Sequence, residues 1–150
     1  MIEVVFTGKT LEALGREIPA TCVVRNELNG WREADQVVRT RGQTSPRGVP
    51  YMPRPFPPGQ WEITRIATMH RDSVYWPAWI DTTAHAVLPV WELEHGLYKR
   101  ATDNHFIGRG YGIHHARYRN ADGRLAPSGT TLGCINVLSP DDATWLADEL

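Results

Sequence analysis

Two stretches decide how this chain reads: Gly112-Ile113-His114-His115, and Thr131-Leu132-Gly133-Cys134-Ile135-Asn136. A cysteine directly follows a glycine inside a small-residue turn, and a polar loop separates it from a histidine pair upstream. A thiol is a weak nucleophile until a base takes its proton or a positive neighbour lowers its pKa. Histidine is the side chain whose titration suits that task near neutrality. If the fold brings the two stretches together, Cys134 is an activated nucleophile for acyl transfer. His114 or His115 is then its base, and amides near Gly133 and Cys134 face the oxyanion. The plainer alternative is a buried, inert Cys134 with both histidines at the surface.

Working outward, Ile2 to Phe6, Thr10 to Leu14 and Ile18 to Val24 read as three strands of a β-meander. Thr7-Gly8-Lys9 and Gly15-Arg16-Glu17 supply the turns. Leu11-Glu12-Ala13-Leu14 would also suit a short helix. Residues 26–58 hold six prolines and three glycines, and read as a long surface loop flanking a cleft. Pro58-Gly59 then turns the chain into a strand on which Trp61 and Ile63 share a face. Val74 to Ile80 and Ala86 to Leu93 are apolar enough for further strands, with Pro89 making the second an edge or bulged strand. Arg109 to His115 ends another strand at the histidine pair. Ser139 as N-cap, Pro140 at the first helical position and Asp142 three residues after the cap predict a C-terminal helix. Its apolar face is Ala143, Leu146, Ala147 and Leu150.

One hundred and fifty residues suit a single domain over 1–150 with a real core. Hydrophobic residues are 41%, charged residues 22%, and the net charge is −1. That balance gives no support for nucleic acid or an anionic membrane as partner. No apolar run is long enough to span a bilayer. Cys22 and Cys134 are too few for a disulfide framework, and Cys22 reads as a buried strand residue. His70, His85, His95, His105, His114 and His115 match no standard metal-ligand spacing, so no metal or other cofactor is expected. Met1 to Phe6 carries no basic region and no cleavage site, so no Sec signal peptide is expected there.

The motif resembles the catalytic domain of the L,D-transpeptidases (YkuD type). That family carries a histidine, a spacer of about this length, then Ser/Thr-His-Gly-Cys, an apolar residue and Arg or Asn. Ser128-Gly129-Thr130-Thr131-Leu132-Gly133-Cys134-Ile135-Asn136 is similar to it. Phe6-Thr7-Gly8-Lys9-Thr10-Leu11 resembles the opening hairpin of such domains, and Phe56-Pro57-Pro58-Gly59-Gln60-Trp61-Glu62-Ile63 resembles their Pro-x-Gly-x-Tyr/Trp-x-Ile segment. The resemblance implies a mainly β, sandwich- or barrel-like fold with one or two short helices. It implies Cys134 as nucleophile and His114 as base, oriented by the His115 backbone carbonyl. The Gly133 and Cys134 amides would hold the oxyanion.

By the same resemblance the partner is a peptidoglycan stem peptide. The amide between an L- and a D-centre is attacked, D-alanine leaves, and the acyl group passes to an amine or to water. Arg109 and Arg117 are candidates to grip stem-peptide carboxylates. Tyr111 is a candidate cleft wall, and Thr131, Leu132 and Asn136 are candidate substrate contacts around the thiol. Leu132 stands where the family usually has histidine, which marks where rate or acceptor choice departs. The expected setting is the periplasm or cell wall, reached through phage lysis or a secretion system. The alternative from another class is a non-catalytic wall-binding or virion structural module that kept the fold.

Overall fold

The architecture, a computed structural model, describes residues 2–24, 53–94 and 97–150, with only the backbone for 91–104 and 106. Most of the proline-rich stretch expected as a loop therefore lies outside the described residues. The chain is mainly β with one helix among the described residues. A seven-stranded sheet runs in the order β1 (Val4–Phe6), β2 (Thr10–Ala13), β3 (Arg16–Thr21), β11 (Ile135–Val137), β8 (Gly112–His114), β5 (Ala78–Thr82), β4 (Ile63–Thr68). β6 (Ala86–Glu94) and β7 (Leu97–Gly108) form a separate hairpin, as do β9 (Arg117–Arg119) and β10 (Leu125–Pro127). The helix α1 spans Pro140–Glu149. No helix among the described residues is long and apolar enough to cross a membrane.

The meander forms as its sequence predicts, with one shift. Ala13 pairs with Arg16, so the β2–β3 turn is Leu14-Gly15 rather than Gly15-Arg16-Glu17. Both turn residues have positive φ, 50° and 75°, the twist that a two-residue hairpin loop needs. Leu11 pairs with Phe6 and Ile18, which makes 11–13 strand and not helix.

Other boundaries move for identifiable reasons. β3 stops at Thr21, and Val24 makes only an isolated parallel bridge to Thr131. Residues 73–76 are not strand, because the Ser73 and Trp76 amides close turns onto the His70 and Ser73 carbonyls. Trp61 precedes β4, its indole N–H donating to the Pro57 carbonyl at 3.0 Å. The long β7 and the β9–β10 hairpin had no counterpart in the sequence reading. Asn120 Oδ1 closes the latter by accepting the Asp122 and Arg124 amides. Pro89 does sit at an irregularity: the β6–β7 register shifts between Pro89 and Trp91.

One face of the sheet contributes Leu11, Ala13, Ile18, Ala20, Ile80, Ile113, Ile135 and Val137 to the core, and α1 covers it with Ala143 and Leu146. The helix begins after Ser139 as predicted, but the Ser139 hydroxyl makes no cap bond. Asp142 does not complete a capping box either. It pairs with Arg16 at 2.5 Å, and the Arg16 guanidinium also lies over the Trp145 ring, 4.4 Å from its centroid. A charged partner across the sheet edge outcompetes a local cap. Asp141 and Asp142 still favour the helix by facing its positive end.

Candidate active site

Strand alternation puts a second set of side chains on the opposite face of β8, β5 and β4. Ile113 and Ile80 point to the core, so Gly112, His114, Trp79 and Asp81 point away from it. Arg65 and Ala67 on β4, opposite Asp81 and Trp79, join the same face. β11 runs parallel to β8 with Ile135 opposite Ile113 and Asn136 opposite His114, which brings Cys134 level with Gly112. The Gly112 amide donates to Cys134 Sγ at 3.4 Å. Cys134 and His114 thus stand on adjacent parallel strands two residues apart in register, on the face opposite the core.

His114 is buried and tightly held. Its Nδ1 lies 3.0 Å from the His115 carbonyl oxygen. A carbonyl only accepts, so Nδ1 carries the proton and Nε2 is the basic nitrogen. The ring stacks on Trp79 with centroids 5.1 Å apart and meets the Tyr75 ring edge-on at 5.0 Å. Burial lowers its pKa, outweighing the His115 carbonyl, and the nearby His115 ring lowers it further. His114 is therefore neutral at pH 7, the state a base must start from. The His115 ring is fixed elsewhere, its Nδ1 2.8 Å from the Val137 carbonyl.

Burial pushes the Cys134 thiol up to about 11. The Gly112 N–H works against this, while Cys22 and Asp81 add to it. The resting pair is accordingly a neutral thiol beside a neutral imidazole, not an ion pair. The thiolate is the reactive form, so its fraction rises about tenfold per pH unit below the pKa. Alkylation of Cys134 by iodoacetamide should then be slow at pH 7 and keep climbing toward pH 11. Mass spectrometry of the peptide carrying Cys134 reads the rate. A plateau near pH 8 would show instead a thiol at or below its ordinary range.

The turn before Cys134 is built around Gly133, whose φ is +122°. A Cβ there would stand 2.5 Å from the Arg54 carbonyl and 2.7 Å from the Tyr111 ring. Thr131 is buried and organises the turn: its hydroxyl donates to the Cys134 carbonyl at 2.7 Å and accepts the Gly133 amide at 3.2 Å. Cys22 is not a plain core residue. Just past β3 and only half-buried, its sulfur accepts the Phe56 amide at 3.2 Å and donates to the Gly133 carbonyl at 3.3 Å. Gly112 is a second obligatory glycine. A Cβ would lie 2.6 Å from Trp79 Cζ2, because the indole reaches across this position.

The remaining sequence candidates fall into distinct places. Leu132 is exposed at the rim of the turn and Arg109 is exposed beyond β7. Tyr111 is buried beneath Gly133, edge-on to Phe56 at 5.8 Å. Asn136 is buried with its whole amide engaged: Oδ1 accepts the Ala116 amide and Nδ2 donates to the Ser128 carbonyl, both at 2.9 Å. Arg117 donates to the Arg71 and Ser73 carbonyls and lies over the Trp76 ring at 4.9 Å. Its guanidinium thus clamps the turn that carries Tyr75. Cys134, His114, His115 and Gly133 are brought together; Asn136, Thr131 and Arg117 hold the surrounding loops.

Tyr75, Trp79, Asp81, Gly112 and Cys22 were not among the sequence candidates. Trp79 lies in the strand predicted over Val74 to Ile80, but Asp81, which shares its face in β5, lies one residue beyond that strand. Their neighbours across β8 were not readable in the sequence.

Comparison with known families matches residues 27–150 to YkuD, the L,D-transpeptidase catalytic domain. The match begins after β3, yet β3 pairs directly with β11 inside it. Neither a curated protein nor a solved structure matches the chain.

Proposed function

The chain belongs to the YkuD family of L,D-transpeptidase catalytic domains, and on that premise we propose that it transfers acyl groups of peptidoglycan stem peptides through a Cys134 thioester. His114 Nε2 takes the thiol proton as Sγ attacks the carbonyl carbon of the L-to-D amide. The oxyanion of the tetrahedral intermediate is held by the Gly133 and Cys134 amides. The Gly133 N–H gives up the Thr131 hydroxyl for a charged acceptor, which binds about twice as strongly. The imidazolium returns its proton to the amide nitrogen, the C–N bond breaks, and the D-residue leaves as an amine. A second amine or water then attacks the thioester, His114 takes its proton, and the thiol is regenerated.

The observation that carries this reading is the His114 ring. Nδ1 is tied to the His115 carbonyl, Nε2 has no hydrogen-bond partner among the described residues, and the ring shares a sheet face with the residue whose amide contacts the thiol. The raised thiol pKa fits a mechanism in which proton transfer accompanies attack, with the thiolate never free in water. The proposed site of action is the periplasm or cell wall, where stem peptides are.

Incubation with tetrapeptide muropeptides, followed by mass spectrometry, tests the reaction class. Loss of the terminal D-alanine alone marks hydrolysis, and a product heavier by an added amine marks transfer. Stem peptides that bind without any new product would instead favour the non-catalytic module.

A further inference from the structure

The burial that keeps His114 neutral at rest also penalises the imidazolium it becomes once it takes a proton. Its Nδ1–H rests on a neutral carbonyl, that of His115, and no carboxylate pairs with the ring among the described residues. The neighbouring His115 ring works against a positive charge here. What faces the imidazole instead is the Trp79 indole. The two residues lie directly opposite each other in the β5–β8 register, and their rings stack with centroids 5.1 Å apart and 23° between planes.

We propose that the Trp79 indole face stabilises the imidazolium that His114 becomes on taking the Cys134 proton, and that Asp81 holds and polarises the indole for that task. The inference rests on the acyl-transfer reading, in which His114 is the base, and names what offsets the charge on that base.

The ring geometry supports this role. Of the aromatic side chains, tryptophan attracts a cation over its face most strongly, within about 6 Å of the centroid and more so where water is excluded. A stacked pair puts the indole face, not its edge, against the imidazole. Tyr75 packs edge-on against both rings, 5.0 Å from His114 and 4.9 Å from Trp79, and helps to keep water from the stack.

Asp81 acts from the other end of the indole. Trp79 Nε1–H donates to Asp81 Oδ1 at 3.1 Å. A charged acceptor pulls on the N–H and leaves more electron density on the ring, as linked hydrogen bonds polarise one another. The bond also fixes the indole across Gly112, where a Cβ would meet Cζ2 at 2.6 Å and Cε2 at 2.9 Å. Arg65 lies 3.5 Å from the other Asp81 oxygen on a largely exposed side chain, so it offsets the carboxylate only weakly. Asp81 is therefore a positioning residue. No proton passes along this chain: the indole keeps its N–H, and the Cys134 proton stays on His114 Nε2 until the amide nitrogen takes it.

The test uses the full chain with progressively fluorinated tryptophans at position 79 alone, introduced by stop-codon suppression. Fluorine leaves size and packing nearly unchanged and drains electron density from the ring face. NMR of the His114 ring against pH should show its proton affinity falling step by step along the series, about tenfold in all. The kcat/KM for muropeptides should fall with it. An indole that merely fills space gives one His114 affinity throughout. A flat or rising series, or turnover indifferent to a falling affinity, would each overturn the proposal. Asp81→Asn keeps an acceptor for the indole and removes the charge. It should weaken proton binding at His114 by a smaller factor, about threefold, and should do so far less in Trp79→Phe, which has no N–H to polarise. An equal loss in both backgrounds would refute the part given to Asp81. The affinity is read without turnover, so an inactive wild type whose His114 follows the fluorine series sinks the acyl-transfer reading and leaves the stack standing. An active enzyme with a flat series sinks only the proposal.

Discussion

Cys134→Ala should abolish turnover of muropeptides, by at least about 10⁴-fold, while the protein folds as before. The two halves of this expectation have separate causes. The thioester needs a sulfur at that position, and no other described cysteine reaches the same face beside His114. Cys22, the second thiol, is occupied between Phe56 and Gly133. The fold asks little of Cys134, whose sulfur makes two long contacts, accepting the Gly112 amide at 3.4 Å and donating to the Gly110 carbonyl at 3.9 Å. Losing it should change stability by no more than about 1 kcal/mol. Product analysis and a denaturant midpoint, run on the same preparation, separate the two effects. Wild-type turnover in the variant would end the nucleophile assignment. A variant that loses both activity and fold would show that the thiol is a structural element instead.

Gly133→Ala should cost more in stability than any conservative change at Cys134. The new Cβ meets a backbone carbonyl, that of Arg54, at 2.5 Å, and the Tyr111 ring at 2.7 Å. Neither is the free end of a flexible chain. A φ of +122° is moreover a conformation that L side chains rarely adopt. Backbone strain and overpacking together suggest a loss of about 2–5 kcal/mol, a large share of a domain's total stability. Activity should fall with it, since the displaced turn carries both the thiol and the amides proposed to hold the oxyanion. Gly129→Ala is the control: nothing lies within 4 Å of its Cβ position. It should stay within about 0.5 kcal/mol of wild type. Matching denaturation midpoints for the two alanine variants would refute the steric argument.

The parts of the site legible in the sequence were those written locally. The glycine before Cys134, the histidine before His115 and the apolar spacing of α1 need only neighbours in the chain. The parts that were not legible depend on register between distant strands. β8 falls inside the strand predicted to end at His115, but β11 is only three residues, too short for alternation to declare it, and the two meet only because the sheet places them parallel. Trp79 becomes the wall of His114 through pairing across β5 and β8. Arg117 looked like a carboxylate grip because its charge is plain in the sequence, whereas the carbonyls of Arg71 and Ser73 that absorb it are not. Ser139 is the N-cap residue as predicted, but the reciprocal bond expected from Asp142 is missing for the same reason. Asp142 was read with its neighbours in sequence, and Arg16 lay outside that window.

β11 also carries a consequence for how the protein comes to be. Its three residues stand between the N-terminal meander and the β8–β5–β4 half, pairing with β3 on one side and β8 on the other. As the chain is synthesised, every other strand of that sheet is made first, and the two halves share no strand until residues 135–137 appear. Closing them requires contacts far apart in sequence, the slow kind in folding. The residue just before that closing strand is Cys134. Closure of the sheet and the meeting of Cys134 with β8 are one event, so on the proposed mechanism a partly made or partly folded chain carries a cysteine that has not yet met its base.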